Sequence, residues 1–391
     1  MDPFPMVDSS RRSSANCDGQ VTKGAVDFPK EIISDILSRL PIESIFTCKI
    51  VCKTWCDIIR DSYFVNKLCN SHYHPTRLIL KPLRGRVTSD TSSHLLLVDI
   101  EEQKTRRIPV DKMLLGLRIM CICNGLLCLA LGNKIDPVVI YNPITREHVV
   151  LPSPGSKPTL CNHKVGLGFD PSSGKYKVVQ AYTLYSNNGK MTRFEIISLG
   201  ESSWRELSAP QGMLDLAVLG VVFWNGALYW KMIDGIDIDI VEFNLSDEKF
   251  HAITFPENFS HFQPQAPLQL MDSGGFLTIV ERSSGQIKLW RLMRNKIGED
   301  ASVSLQQTYD THVNWGNAVY YEIIGDSTHN SYLLKVGFRN SQCERCEHLT
   351  QFFPQKRQYS HLDIPSLPDR FYTVCFKPSL VSPIAASLRS N

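Results

Sequence analysis

No stretch of this chain approaches the 18 or so consecutive apolar residues that a membrane span needs, and its first 26 residues lack the apolar core of a secretory signal. Neither sign of charge dominates. The 42 basic and 39 acidic side chains leave +3, and apart from the Lys104 to Arg107 cluster no basic run exceeds a pair, which argues against a nucleic-acid surface. The 12 cysteines lack the regular spacing of a disulfide scaffold, and Cys121, Cys123 and Cys128 sit inside apolar runs, as buried reduced thiols do. A soluble protein of the cytoplasm and/or nucleus is expected, with neither membrane nor nucleic acid as partner.

Catalytic motifs are also missing. There is no Gly-x-Ser-x-Gly elbow, no Walker loop and no His-Glu-x-x-His. Cys343-Glu344-Arg345-Cys346 with His348 has metal-like spacing, but no second Cys/His pair follows at the distance a zinc site needs, so a solvated loop is expected. Gly166-Leu167-Gly168 lacks the third glycine of a dinucleotide loop, since Pro171 stands there, and reads as a turn. Asp234, Asp237 and Asp239 alternate with Ile236, Ile238 and Ile240, as in a strand with polar residues outward rather than a calcium loop. No catalytic residue, metal or cofactor is assigned, and the chain is not expected to be an enzyme.

What is present falls into two parts behind a tail. Residues 1–25, with Ser9, Ser10, Ser13, Ser14 and Gly19, have almost nothing to build a core from and read as disordered. From 26 to 71 the rhythm becomes helical. Ile32, Ile33, Ile36, Leu37 and Leu40 follow one another at helix spacing, Pro29 and Pro41 mark starts, and further apolar faces follow at Ile42, Ile45 and Phe46, at Val51, Trp55, Ile58 and Ile59, and at Phe64 and Leu68.

Beyond residue 77 short apolar runs are punctuated by Gly, Pro, Asn and Ser, the pattern of strands and turns, with no convincing helix. Asn124-Gly125-Leu126-Leu127 matches Asn225-Gly226-Ala227-Leu228, and Tyr141-Asn142 then corresponds to Phe243-Asn244. The two Asn-Gly steps lie 101 residues apart, and a weaker copy at Gly274-Gly275 follows 49 residues after Gly226, a pitch of roughly 50 residues as in kelch-type propellers. The gap supplies strands at Tyr176 to Val179, Phe194 to Ser198 and Trp204 to Pro210, and further units span Leu95 to Pro109 and Tyr332 to Pro365. About six blades fit, with Phe371 to Phe376 pairing into the first to close the ring. The fold class expected is therefore α+β and multidomain: a helical module at 26–71, a mainly antiparallel, kelch-like β-propeller at 77–385, and a tail at 386–391.

The segment Asp27-Phe28-Pro29-Lys30-Glu31-Ile32-Ile33, with Ile36-Leu37-Ser38-Arg39-Leu40-Pro41 and Cys48-Lys49-Ile50-Val51-Cys52-Lys53-Thr54-Trp55, closely resembles the F-box motif. Phe28 stands for its usual opening Leu and Thr54 for its Ser. Downstream, Tyr141-Asn142-Pro143-Ile144-Thr145-Arg146-Glu147, Gly168-Phe169-Asp170-Pro171 and Phe223 to Trp230 resemble the F-box-associated domain of plant proteins. The resemblance implies a substrate-recognition subunit of an SCF-type ubiquitin ligase. The F-box would dock a Skp-type adaptor, bridged by a cullin to a RING subunit, while the β domain holds a protein substrate for ubiquitination and, by extension, proteasomal degradation.

Residue by residue, the motif puts Pro29, Ile32, Leu40, Pro41, Ile45, Val51, Cys52, Lys53 and Trp55 at positions tied to the fold and its adaptor contact. About half of these, with Trp55 and Ile36 foremost, are expected in the module's own core. Six acidic and six basic residues between Asp27 and Lys67 cancel, so docking should rest on apolar burial. A 45-residue helical unit buries little surface by itself, and partner helices would complete its core. Trp204, Trp224, Trp230, Trp290 and Trp315 are expected between blades, and substrate recognition is expected on loops 184–192, 257–268 and 340–347. The alternative function is a sensor whose propeller binds a hormone or glycan that gates substrate capture.

Overall fold

The computed structural model describes residues 28–69, 77–83, 94–154, 162–186, 189–214, 217–234, 237–256, 268–273, 275–283, 286–293, 301–310, 318–327, 331–339 and 345–388. The proposed tail at 1–25 lies outside them.

Four helices come first: α1 (Lys30–Ser38), α2 (Ile42–Cys48), α3 (Lys53–Arg60) and α4 (Ser62–Cys69). Pro29 and Pro41 stand immediately before α1 and α2, where a residue without an N–H costs nothing. Cys52 precedes α3, and its Sγ accepts from the Trp55 N–H at 3.5 Å. Asp61 caps α4 by accepting from the Tyr63 and Phe64 N–H groups.

The rest is a ring of six four-stranded blades. The first holds β1 (Arg77–Pro82), β2 (His94–Asp99) and β3 (Lys104–Pro109). The second holds β4 (Arg118–Cys123), β5 (Leu126–Ala130), β6 (Val138–Tyr141) and β7 (His148–Val150); the third, β8 (Asn162–Asp170), β9 (Lys175–Ser186), β10 (Gly189–Ser198) and β11 (Arg205–Glu206). A short helix, α5 (Gln211–Leu214), leads to the fourth, with β12 (Ala217–Trp224), β13 (Ala227–Asp234), β14 (Asp237–Asn244) and β15 (Phe250–Thr254). The fifth comprises β16 (Gln269–Ser273), β17 (Phe276–Ser283), β18 (Gln286–Met293) and β19 (Ala301–Asp310); the sixth, β20 (Ala318–Ser327), β21 (Ser331–Arg339), β22 (Arg345–Phe353) and β23 (Gln358–His361).

The last strand, β24 (Phe371–Phe376), pairs antiparallel with β1 from Arg77↔Phe376 to Pro82↔Phe371, as its sequence suggested. The chain's end thus completes its first blade and closes the ring, leaving the outer strands of the blades as edges. The outer strands of the fourth and fifth blades also pair in parallel, at Ile253↔Ala301 and Thr254↔Ser302.

Burial explains the apolar runs. Strands near the ring's centre are covered on both faces by neighbouring blades, so β1 and β5 are buried almost throughout, whereas the outer β3 buries only Ile108. The repeated dipeptides are the turns between the first two strands of the second and fourth blades. Asn124-Gly125 and Asn225-Gly226 have positive φ at both positions (48° and 73°, 45° and 78°), the geometry of a tight hairpin that Asn and Gly adopt most readily. Asn142 and Asn244 close the β6–β7 and β14–β15 turns, their Oδ1 atoms accepting from the Ile144 and Ser246 N–H groups, both at 2.8 Å.

Several expectations change. Asp234 ends β13 and pairs with Asp237 at the start of β14, so the aspartates do not share one strand, and Cys346 and His348 lie in β22 instead of a solvated loop. Gly166 and Gly168 lie within β8 and not in a turn; the chain reverses afterwards at Asp170, whose carboxylate accepts from the Ser172 N–H. The β-rich part also ends in a helix, α6 (Pro383–Leu388), which crosses the expected boundary at 385. Trp230 and Trp290 are buried and Trp204 and Trp224 partly so, while Trp315 lies outside the described residues.

Candidate functional site

In each blade the innermost strand (β24, β4, β8, β12, β16 and β20) runs towards the end of the ring where β1 begins. That end is the base. The helical module sits there, and its core continues into the propeller: Leu37, Ile42, Ile45, Ile58, Ile59, Phe64 and Leu68 pack in one cluster with Ile79, Leu97, Leu127, Tyr141, Ile144, Phe376 and Leu380 of the first two blades and the closing strand. Charge reinforces the seam. Arg77 pairs with Glu43 of α2 and lies 3.3 Å from Asp99, and burial against the seam lowers the affinity of Lys49 for its proton while Glu147 beneath it opposes that loss.

The segment after β24 fastens the same region. The buried Asn142 side chain donates to the Ser379 and Val381 carbonyls at 3.1 and 2.7 Å, and Ser379 Oγ donates to the Asn124 carbonyl at 2.6 Å.

With one face spent on this seam, the module leaves another bare. Ile32 and Ile36, four residues apart and so stacked along α1, are exposed, Ile36 to 51%, as is Phe28 just before the helix. Ile50 and Val51, in the turn before α3, are exposed to 85% and 60%, and Phe46 of α2 is also exposed, with Lys49 Nζ 4.8 Å from its ring centre. Large apolar side chains so open to water, on α1, on α2 and in the turn before α3, form an apolar surface of the kind that partners cover.

The motif residues therefore divide. Pro29, Ile32, Pro41, Val51, Cys52 and Lys53 are exposed, and Leu40 and Trp55 are partly buried against the shared core. Ile45 is fully buried, so in this fold it offers no side-chain surface to a partner. Ile36, expected in the core, points to water instead. The spacing carried this information ambiguously, since α1 has two apolar rows: Ile33 and Leu37, with Leu40 just beyond the helix, face the core, while Ile32 and Ile36 do not.

Of the loops expected to recognise substrate, 257–267 and 340–344 lie outside the described residues, as does Cys343. Cys346 is partly buried with its Sγ 3.9 Å from the Phe338 carbonyl, and the His348 ring packs against Phe338 and His361. Among the described residues no group of three or more His, Cys, Asp or Glu side chains could hold a metal ion. Cys121 and Cys128 are buried free thiols whose pKa values burial pushes up, which suits packing and not reactivity. No helix among the described residues is long and apolar enough to cross a membrane.

Two family profiles match the chain, one for the F-box domain over residues 26–67 and one for the F-box associated beta propeller domain over 87–313. The F-box protein At5g49610 of Arabidopsis thaliana is 29% identical, over 69% of this chain and 76% of its own length. The F-box/LRR-repeat/kelch-repeat protein At2g27520 of the same plant is 24% identical, over 73% of this chain and 76% of its own. Among solved structures, the Dos1 propeller is similar with a TM-score of 0.34 and 9% identity, over 70% of this chain and 65% of that one.

Proposed function

Because the chain belongs to the F-box proteins that carry an F-box-associated β-propeller domain, we propose that it is the substrate-recognition subunit of an SCF-type ubiquitin ligase. Its F-box docks a Skp-type adaptor, a cullin and a RING subunit complete the assembly, and the propeller holds a protein for ubiquitination without doing chemistry itself.

The observation that carries this reading is the apolar surface of Phe28, Ile32, Ile36, Ile50 and Val51, bare on one side of a module whose other side is buried in the propeller base. Burying such a surface against partner helices supplies affinity from apolar area, and the module's balanced charge leaves little for long-range steering. Pro29, Ile32, Pro41, Val51, Cys52 and Lys53 are the motif positions proposed to contact the adaptor, with Phe28, Ile36 and Ile50 added to them; Ile45 and, in part, Leu40 and Trp55 hold the module's shape.

The test is co-expression of the full chain with a Skp-type adaptor and co-purification as a stoichiometric complex. A folded chain that leaves the adaptor behind would overturn the proposal.

A further inference from the structure

The rim of the propeller farthest from the F-box carries an arc of cations, one from each of four successive blades. Arg118 opens β4, opposite Ala130, and Lys164 lies near the start of β8, opposite Ala181. Lys231 stands near the end of β13, opposite Gly220, and Arg282 near the end of β17, opposite Ile287. First strands begin and second strands end at this rim, so the second to fifth blades each contribute one cation.

Each member feels its neighbour. Burial lowers the proton affinity of Lys164 and Arg118 lowers it further; burial lowers that of Lys231, and Arg282 and Lys164 add to the effect while Glu322 opposes it. The contacts of Arg118 and Lys231 are not to anions. Arg118 lies 5.8 Å from the Tyr372 ring centre, Arg282 lies 5.2 Å from that of Tyr321, and Lys231 Nζ donates to the Leu268 carbonyl at 2.7 Å. Glu322, the carboxylate that acts on both Lys231 and Arg282, is already paired with Lys335 at 2.9 Å. Neither Arg118 nor Lys164 has an acidic partner among the described residues. Partly desolvated like charges held together raise the energy of the empty rim, and an oxyanion among them relieves it.

We propose that this rim is an oxyanion-binding site in which Arg118, Lys164, Lys231 and Arg282 receive clustered carboxylates or phosphoryl groups on a segment of the substrate protein. The proposal rests on the reading of the propeller as the substrate-holding domain and gives that substrate a chemistry. A protein segment fits better than nucleic acid. The chain as a whole carries only +3, and the arc is confined to one rim instead of forming a basic track along which a phosphate backbone could run.

The test uses the full chain, co-expressed with a Skp-type adaptor and also purified without it, and fluorescence anisotropy with three peptides of equal length, bearing glutamates, phosphoserines or glutamines. An RNA oligonucleotide of equal charge is the fourth probe. At least one anionic peptide should bind about tenfold more tightly than the glutamine peptide. That advantage should shrink with added salt, fall severalfold in Arg118→Gln and in Lys164→Gln, and return in Lys164→Arg. Preference for phosphoserine over glutamate assigns the site to phosphoryl groups, and equal binding assigns it to carboxylates.

Equal binding of all three peptides overturns the proposal. So does an unchanged preference in both glutamine variants when their thermal unfolding matches the parent, and so does RNA binding tighter than either anionic peptide. Adaptor co-purification, followed in the same preparations, separates the two readings: its loss with the peptide preference intact removes the ligase reading alone, and the converse removes this one alone.

Discussion

Arg77, the first residue of the first propeller strand, pairs with Glu43 of the second F-box helix, and both side chains are largely withdrawn from water. The F-box is thereby joined to the propeller by charge as well as by apolar packing. A double-mutant cycle with Arg77→Met and Glu43→Gln, followed by urea unfolding, should give a coupling energy of about 1 kcal/mol. The shared core also predicts that F-box and propeller melt in one transition. Two separate transitions, or additive effects of the two substitutions, would show the seam to be energetically idle.

The division of the apolar residues in the F-box gives a second prediction. Ile36→Asp changes an exposed position and should alter stability by no more than about 0.5 kcal/mol while abolishing co-purification with a Skp-type adaptor. Ile45→Ala empties a fully buried position and should cost about 2–5 kcal/mol. Its loss of adaptor should follow the fraction unfolded. If Ile36→Asp binds as the parent does, the bare row on α1 is not the docking surface.

Much of this was legible in the sequence. Asn-Gly and Tyr/Phe-Asn announce blades because tight hairpins and side-chain-capped turns admit few residues, and those dipeptides do form such turns at Asn124, Asn225, Asn142 and Asn244. Helical periodicity located α1, but not the face that meets the core, because Ile32 and Ile36 are as apolar as Ile33 and Leu37. The fusion of the F-box to the propeller had no local signal: Leu37 and Ile45 meet Ile79, Leu127 and Phe376 only after the ring has closed. The cationic arc was equally hidden, since Arg118, Lys164, Lys231 and Arg282 are isolated in the chain and converge through strand register.

Gly168 shows how a local reading failed and what it missed. Glycines two apart suggest a turn, yet here they let a central strand pass close to the next blade. A Cβ on Gly168 would collide with the side chains of Leu245 and Phe223, and one on Gly166 would press on Leu228 and Val221 at 3.0 Å. Gly168→Ala should therefore destabilise by about 1–3 kcal/mol through overpacking, whereas Gly174→Ala, with open space at its Cβ but a φ of 68°, should cost only its backbone strain. Urea unfolding of the two variants separates crowding from strain, and an unaffected Gly168→Ala would show that the blades can move apart.

The corner between the third and fourth blades holds two carboxyl groups whose pKa values are lowered. Asp170 is buried, which opposes its ionisation, but hydrogen bonds from Ser172, Ser173, Ser246 and Lys177 outweigh that cost and hold its carboxyl well below the usual range. Lys177 Nζ lies 3.1 Å from Asp170 and 3.0 Å from Glu248, so one ammonium ties the two blades together. Glu248 is likewise buried in part, and its bonds to Arg205 and Lys177 pull its pKa down. A carboxyl with a depressed pKa binds its proton less readily folded than unfolded. The stabilisation it gives is complete above the unfolded value of about 4 and is lost as pH falls towards the folded value. The urea midpoint of the parent should thus drop steeply below about pH 4. Asp170→Asn, less stable than the parent at neutral pH because Lys177 loses a buried partner, should follow a flatter acid limb, so that the gap between the two narrows as pH falls. A gap that stays constant from neutral pH down to about pH 3 would mean that Asp170 stabilises the corner by shape alone and not by its charge.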